Sequence, residues 1–333
     1  QLQSDVCCFT HKEKRCYVLM FVDDICVCTD DEQFRSELLE KLNKKFKVKH
    51  FGSTRRYVGL QLKWSTDGKW AKIFQLDYIE KLLSVFKMTD CKIADQPCTD
   101  SVKLSKKDTI SEKMKERPYR SLVGALLYLL GTRPDVTSSI RAVSQHTSNP
   151  ADNHWKAAKR ILRYLKGTKH KGVVYKRDKR FRLSAFCDSD HASEEDRKSI
   201  SGYVVYAQGG PIVWKSKKQP IIALSTCEAE YIALSEVIKE LLWTSMTLKE
   251  LKVKRHGAMR VYIDNQAAKR LAENAVNHER SKHIDIRYHF IRQVVASGKV
   301  QLYYIDTKKN VSDLLTKATS RKVFSTLVGQ LVQ

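Results

Sequence analysis

The chain has 333 residues, and 61 Lys and Arg against 37 Asp and Glu give it a formal net charge of +24. Hydrophobic residues at 42% and charged residues at 29% fit a soluble folded protein, long enough for about two domains of ~150 residues. No apolar run approaches the ~20 residues that span a bilayer, and the opening QLQSDVCCFTHKEKR lacks the apolar core of a secretory leader.

The excess positive charge points to a polyanion, with nucleic acid ahead of an anionic membrane surface. The nine cysteines are scattered without a CxxC pair, which disfavours a zinc site. Several lie inside apolar runs, as buried thiols do in a reducing compartment, so the expected location is intracellular, cytoplasm and nucleus being equally open.

In chain order, YVLMFVDDICVCT (17–29) reads as a hairpin with Asp23 and Asp24 at its tip. DEQFRSELLEKLNKKF (31–46) has the pattern of a charged helix, YVGLQLKW (57–64) that of a strand, and Asp67-Gly68 that of a hairpin turn. LDYIEKLLSVFKM (76–88) carries Ile79, Leu82, Leu83 and Phe86 at helical spacing. The polar stretch 89–116 predicts a linker. Three helical pieces follow between Tyr119 and Lys166, separated at Pro134 and Pro150. Residues 151–180 hold 11 Lys and Arg and 2 Asp, a local charge of +9. Their helix would bury Trp155, Ile161, Leu162 and Leu165 and offer Lys156, Lys159, Arg160, Arg163 and Lys166 to a phosphate backbone.

From about residue 181 short strands alternate with helices. FRLSAFCD, SGYVVYAQG, PIVWKSKK and PIIAL predict strands, and a long helix over about 226–251 is capped by Ser225 or Thr226. RVYID (260–264) and VQLYYID (300–306) predict strands. NQAAKRLAEN, IDIRYHFIRQVVASG (284–298, ended by Gly298) and VSDLLTKATSRKVFSTLVG (311–329) predict helices.

Four acids sit where a solvated surface is a strained explanation. Asp188 follows an alternating strand, Glu230 (or Glu228) starts the long helix, Asp264 ends an apolar strand, and Asp313 starts the last helix. Clustered carboxylates repel unless a cation joins them, and Mg²⁺ takes such hard oxygen ligands. Two ions, Mg²⁺ or Mn²⁺, held by Asp188, Glu230, Asp264 and Asp313 would suit phosphodiester cleavage. Glu228 and Glu230 are about 200° apart on a helix, so one of them faces the metals. Glu230 shares its face with Leu234, Val237 and Leu241 and is favoured; Glu228 is the alternative.

CDSDHAS (187–193), RKSISGYVVY (197–206), ALSTCEAEYIAL (223–234), VYIDNQAA (261–268), RSKHIDIRYHFIR (280–292) and VSDLLTK (311–317) together resemble the ribonuclease H domain of copia-type long-terminal-repeat retrotransposon polyproteins. Upstream, FVDD (21–24), YVGLQL (57–62), YIEKLLSVFKM (78–88), YRSLVGALLYL (119–129) and RILRYLKGT (160–168) resemble the reverse transcriptase of the same elements. The resemblance implies a mixed α+β and α/β chain: a truncated polymerase palm, thumb and connection, then a ribonuclease H-like five-stranded mixed sheet flanked by helices. The implied division is 1–88 partial reverse transcriptase, 89–118 linker, 119–180 basic connection and 181–333 ribonuclease H-like domain.

The implied activity is metal-dependent cleavage of the RNA strand of RNA–DNA hybrids, and the alternative is a silent transposon-derived nucleic-acid-binding protein. Other Pol segments or host chains stay open as protein partners, and no membrane partner is expected. An integrase is disfavoured, because the position about 35 residues after the second Asp is Lys299. His278, His283 and His289 have no zinc spacing with cysteines and are expected to be structural, with a phosphate contact by Lys282 or His283 as the alternative. Asp23 and Asp24 match the paired polymerase aspartates and are expected to be vestigial metal ligands. Only about twenty residues precede them, so the fingers and half the palm are missing and polymerase activity is not expected. The apolar edge thus opened would expose Tyr17, Val18, Leu19 and Met20.

Overall fold

The computed structural model describes residues 1–178, 180–273 and 282–333, with the side chains of 282–285 outside that description. The strands are β1 (Cys8–Thr10), β2 (Cys16–Phe21), β3 (Asp24–Thr29), β4 (Arg56–Tyr57), β5 (Leu60–Trp64), β6 (Trp70–Phe74), β7 (Gly172–Lys176), β8 (Leu183–Asp190), β9 (Ile200–Ala207), β10 (Gly210–Lys218), β11 (Met259–Ile263) and β12 (Val300–Tyr304). The helices are α1 (Glu32–Asn43), α2 (Leu76–Val85), α3 (Glu112–Lys115), α4 (Tyr119–Leu127), α5 (Thr137–Ser144), α6 (Asp152–Gly167), α7 (Thr226–Glu250), α8 (Gln266–Glu273), α9 (Lys282–Ala296), α10 (Asp313–Thr316) and α11 (Arg321–Leu327).

The largest sheet has the order β10-β9-β8-β11-β12. β8, β9 and β10 pair antiparallel, while β11 runs parallel to both β8 and β12. This is the mixed five-stranded sheet that the resemblance implies. Period-two alternation decides its two faces. Leu183, Ala185, Cys187, Tyr203, Val205, Val261, Ile263 and Leu302 point to one side and pack under α7, α8 and α9. Val204, Tyr206 and Phe186 point to the other, against a second apolar cluster. That second cluster runs from Ile79 through α4, α5 and α6 to Leu314, Phe324 and Leu331, so the connection helices and the sheet share one core.

β6 pairs with β7, which ties the 56–74 hairpins to the segment after α6. A buried ion pair, Arg133 to Asp135 at 2.7 Å, accepts the Tyr164 hydroxyl on Asp135 and sends the guanidinium on to Thr168, locking the end of α6 in place. The N-terminal sheet has β2 at its centre, and the tail before it docks on the end of α7 through Ser4 and Glu250.

Four details differ from the sequence reading. YVGLQLKW is not one strand: Val58 and Gly59 both have positive φ and fold β4 back on β5. PIIAL is not a strand; Pro220 has no N–H to donate, and Ala223 packs with Ala229 and Ile232 instead. The last helix is two helices, because Lys317 is extended and Ser320 caps α11 by accepting from the Val323 N–H. β2 is paired on both edges, so the exposed apolar group is a face and tip, Leu19, Met20, Phe21 and Val22, whereas Tyr17 and Val18 are half-buried.

Candidate metal centre

Asp188 lies inside β8, two residues before its end, and not after the strand as the sequence reading had it; Asp264 follows β11, and Glu230 stands on the first turns of α7, which packs on β8 and β9. Ligand oxygens of Asp188, Glu230 and Asp264 all lie within 4.8 Å of one another. Asp188 and Glu230 are buried and Asp264 is half-buried.

Each carboxylate is held by neighbours the fold supplies. Glu230 Oε1 accepts the Ser189 backbone N–H and hydroxyl, both at 3.0 Å. Asp188 Oδ2 accepts the Thr316 hydroxyl at 2.6 Å. Asn310 donates to the Cys187 carbonyl, pinning the loop before α10 to β8. Glu228 lies apart: its backbone N–H donates to the Ser225 hydroxyl and its carboxylate accepts the Leu224 N–H. Those are the bonds of a helix cap, consistent with the S-x-x-E spacing.

Asp313 faces the trio across a cation. Lys317 Nζ stands 3.1 Å from Asp313 Oδ1 and 3.6 Å from Asp188 Oδ2. Lys317 caps the end of α10, its N–H donating to the Asp313 carbonyl, and its side chain lies over the carboxylates. Lys317 is the residue that sequence reasoning missed; its place four residues after Asp313 in VSDLLTK was the available signal.

Burial, then the charges of Asp188 and Asp264, push Glu230 well above the usual carboxylate range. Burial and Asp188 push Asp313 up to about 7. Asp264 is raised by burial and Asp188, with Thr307 and Asn310 pulling the other way. Glu230 Oε2 is buried without a hydrogen-bond partner among the described residues. An all-oxygen set whose members resist ionising side by side, with one orphaned carboxylate oxygen, fits a hard divalent cation.

A family model for reverse transcriptase (RNA-dependent DNA polymerase) matches residues 1–100. The chain is 38% identical over 314 residues to the retrovirus-related Pol polyprotein from transposon TNT 1-94 of Nicotiana tabacum, covering 92% of this chain and 24% of that protein. It is 31% identical over 229 residues to the putative transposon Ty5-1 protein of Saccharomyces cerevisiae, covering 68% of this chain and 73% of that protein. The chain belongs to the Pol polyproteins of copia-type transposons. It spans about a quarter of the length of the plant Pol relative. Among solved structures, ribonuclease H1 from Halobacterium salinarum matches 40% of the chain and 94% of that protein at 14% identity, with a TM-score of 0.32.

Elsewhere in this Pol chain, the other predicted residues fall as follows. Asp24 opens β3 opposite Phe21, Asp23 sits in the turn, and both are exposed. Neither belongs to a group of three or more possible metal ligands among the described residues. On α6, Lys156 is exposed and Lys159 lies over the Trp155 ring. Arg163 and Lys166 donate instead to the carbonyls of Lys92 and Cys91, so they hold the linker against the helix. Arg160 is half-buried. The side chains of Lys282 and His283, and all of His278, lie outside the described residues.

Proposed function

We propose that this Pol chain is a metal-dependent ribonuclease that cuts the RNA strand of RNA–DNA hybrids, with Asp188, Glu230, Asp264 and Asp313 as the metal ligands. The observation that carries the reading is the convergence of three carboxylates from β8, β11 and α7 within 4.8 Å. Divalent ions held there, two in this reading and Mg²⁺ or Mn²⁺ by donor type, would activate water and offset charge building on the scissile phosphate. Ser189 and Thr316 aim the carboxylates, and Asn310 fixes the loop that carries Asp313. Lys317 balances Asp188 and Asp313 and is placed to meet a phosphate oxygen as those acids turn to metal.

The hybrid backbone is gripped by the basic surface, including Lys156 and Lys159, and RNA is told from DNA by its 2′-hydroxyls. Residues 1–88 act as a polymerase remnant, 89–118 as a linker, 119–180 as a basic connection and 181–333 as the nuclease. With two acids at the hairpin tip and no third grouped with them among the described residues, this part does not polymerise. Nine free thiols suit an intracellular setting.

The test is strand-resolved. Purified chain is incubated with an RNA–DNA hybrid labelled on either strand, with Mg²⁺. The RNA should be cut to products with 5′-phosphate ends, and Asp264→Asn should lose activity by roughly 10²–10³-fold, as expected for a few kcal/mol of lost charge stabilisation. Binding without cleavage by the unmodified chain would favour the silent-binder reading instead.

A further inference from the structure

The face of the large sheet that carries Asp188 and Asp264 is only half covered. Its β9 side is buried under the connection helices and the C-terminal turns. Its β11–β12 side is open: Tyr303 is 38% exposed, and Arg260 and Tyr262 are half-buried.

Across that face runs one row of rings. Tyr206 on β9 meets Phe186 on β8 edge-on at 5.7 Å. Phe186 stacks on Tyr262 of β11 at 4.8 Å. Tyr262 meets Tyr303 of β12 at 5.6 Å. The strand register explains the row, since Phe186, Tyr262 and Tyr303 are direct cross-strand partners. Asp188 and Asp264 follow Phe186 and Tyr262 by two residues, so the rings lie about 7 Å behind the carboxylates on the same face.

Arginines flank the row. Arg260 lies over the Tyr303 ring at 5.9 Å. Where the row meets the covered half, a cavity of about 440 Å³ opens, lined by Arg180, Arg182, Ser184, Phe186, Tyr206 and Gln330, with Asp178 as its acidic side chain among the described residues. None of Arg180, Arg182 and Arg260 forms an ion pair among the described residues. A structural role accounts for Phe186 and Tyr206, which pack on the core. It does not account for an exposed Tyr303 under an Arg260 that has no ion pair among the described residues.

We propose that this open face is a second nucleic-acid site, which holds a single strand through Tyr262 and Tyr303 and through Arg260, Arg182 and Arg180. Aromatic rings on a sheet suit unpaired bases, which a duplex keeps stacked inside, and guanidinium groups suit the phosphates between them. The charge is complementary and the site is shallow, as a flexible strand requires. It goes beyond the hybrid-cleavage reading, because it can bind whether or not the carboxylates turn over.

The experiment is fluorescence anisotropy on the full chain, with EDTA present, using a labelled oligothymidylate and, separately, an RNA–DNA hybrid. Tyr303→Ala and Arg260→Ala should each weaken single-strand binding about tenfold. Tyr303→Phe should keep it, and hybrid affinity should stay unchanged in all three. No binding by the unmodified chain, or undiminished binding by Tyr303→Ala, would overturn the proposal. So would an equal loss of hybrid affinity, which would make the face part of the hybrid groove. Photocrosslinking of a 5-bromodeoxyuridine strand to the unmodified chain decides the matter without any variant. Adducts on Tyr262 or Tyr303 support the site, and adducts confined elsewhere contradict it.

Discussion

At the residue scale, the candidate metal centre is a set of acids whose burial and mutual charge oppose ionisation side by side. Asp313 rises from an ordinary 3.8 to about 7, and burial with the charges of Asp188 and Asp264 pushes Glu230 well above its usual range. A raised carboxyl binds its proton more tightly folded than unfolded. Its stabilising contribution is therefore complete at low pH and disappears as pH rises through the folded value. Metal-free protein should lose stability between about pH 4 and pH 7, where the folded chain is made to release protons. Asp313→Asn should raise the melting temperature at pH 8 without metal, equivalent to ~1–3 kcal/mol, and change little at pH 4. Adding Mg²⁺ should stabilise the unmodified chain at pH 8 more than the variant. Thermal melts across pH, with and without EDTA, check both signs; a variant less stable at pH 8 would contradict the assignment.

Asp264 and Asp313 were legible as acids at element ends; Asp188 was legible from the alternation of its strand, though β8 runs two residues past it. Helix geometry put Glu228 and Glu230 on different faces and the apolar stripe favoured Glu230; the structure gives Glu228 a capping task that the S-x-x-E spacing encodes. Lys317 was not legible, since an i+4 lysine after an acid ordinarily reads as a surface pair. Only the close approach of α10 to the sheet brings it to Asp188. Arg163 and Lys166 misled for the opposite reason: charge on a helix does not reveal that linker carbonyls lie within reach.

At the element scale, the site depends on how closely α10 approaches the sheet. Gly202 faces Asp188 across β8 and β9, and a Cβ there would lie 2.6 Å from the Thr316 methyl and 2.9 Å from the Leu315 backbone. Gly202→Ala should push α10 away, cost ~1–3 kcal/mol as an overpacked contact, and loosen the Thr316–Asp188 hydrogen bond. Melting temperature and hybrid cleavage should both fall. Gly124→Ala, in a helix with open space around the glycine, should do neither. A Gly202→Ala enzyme with unchanged stability would show that the close approach is not required.

Regular elements were legible where one period ran long enough, as in β8, β9, α6 and α7. The misreadings share a cause: a break made by backbone conformation rather than by composition. Val58 adopts positive φ without being Gly, Asn or Asp, and Lys317 is extended inside an apolar-periodic run. PIIAL has strand composition, but its proline gives up a ladder bond and its alanine finds the start of α7.

At the scale of the whole molecule, the +24 charge sits on a chain whose parts share a core. The cluster that joins Ile79, Leu122 and Leu165 to Val204 and Leu331 is assembled from segments far apart in sequence. Short-range patterns say which residues are buried but not which elements bury them together. The aromatic row across β9, β8, β11 and β12 was hidden for the same reason, since strand order alone makes its members neighbours. The polymerase-like end lacks such convergence: the acids at 23 and 24 stand on an exposed hairpin tip. These 333 residues should not extend a primer on an RNA template with Mg²⁺ and deoxynucleotides, and template-dependent extension would overturn that reading.

The central claim is that Asp188, Glu230 and Asp264 close on a divalent ion, with Asp313 beside them. Anomalous diffraction from crystals grown with Mn²⁺ tests it most directly. A manganese peak bonded to those three carboxylates is expected, with Lys317 drawn off Asp188. Fully ionised, well-ordered carboxylates around an empty centre at saturating Mn²⁺, or manganese bound only elsewhere, would contradict it.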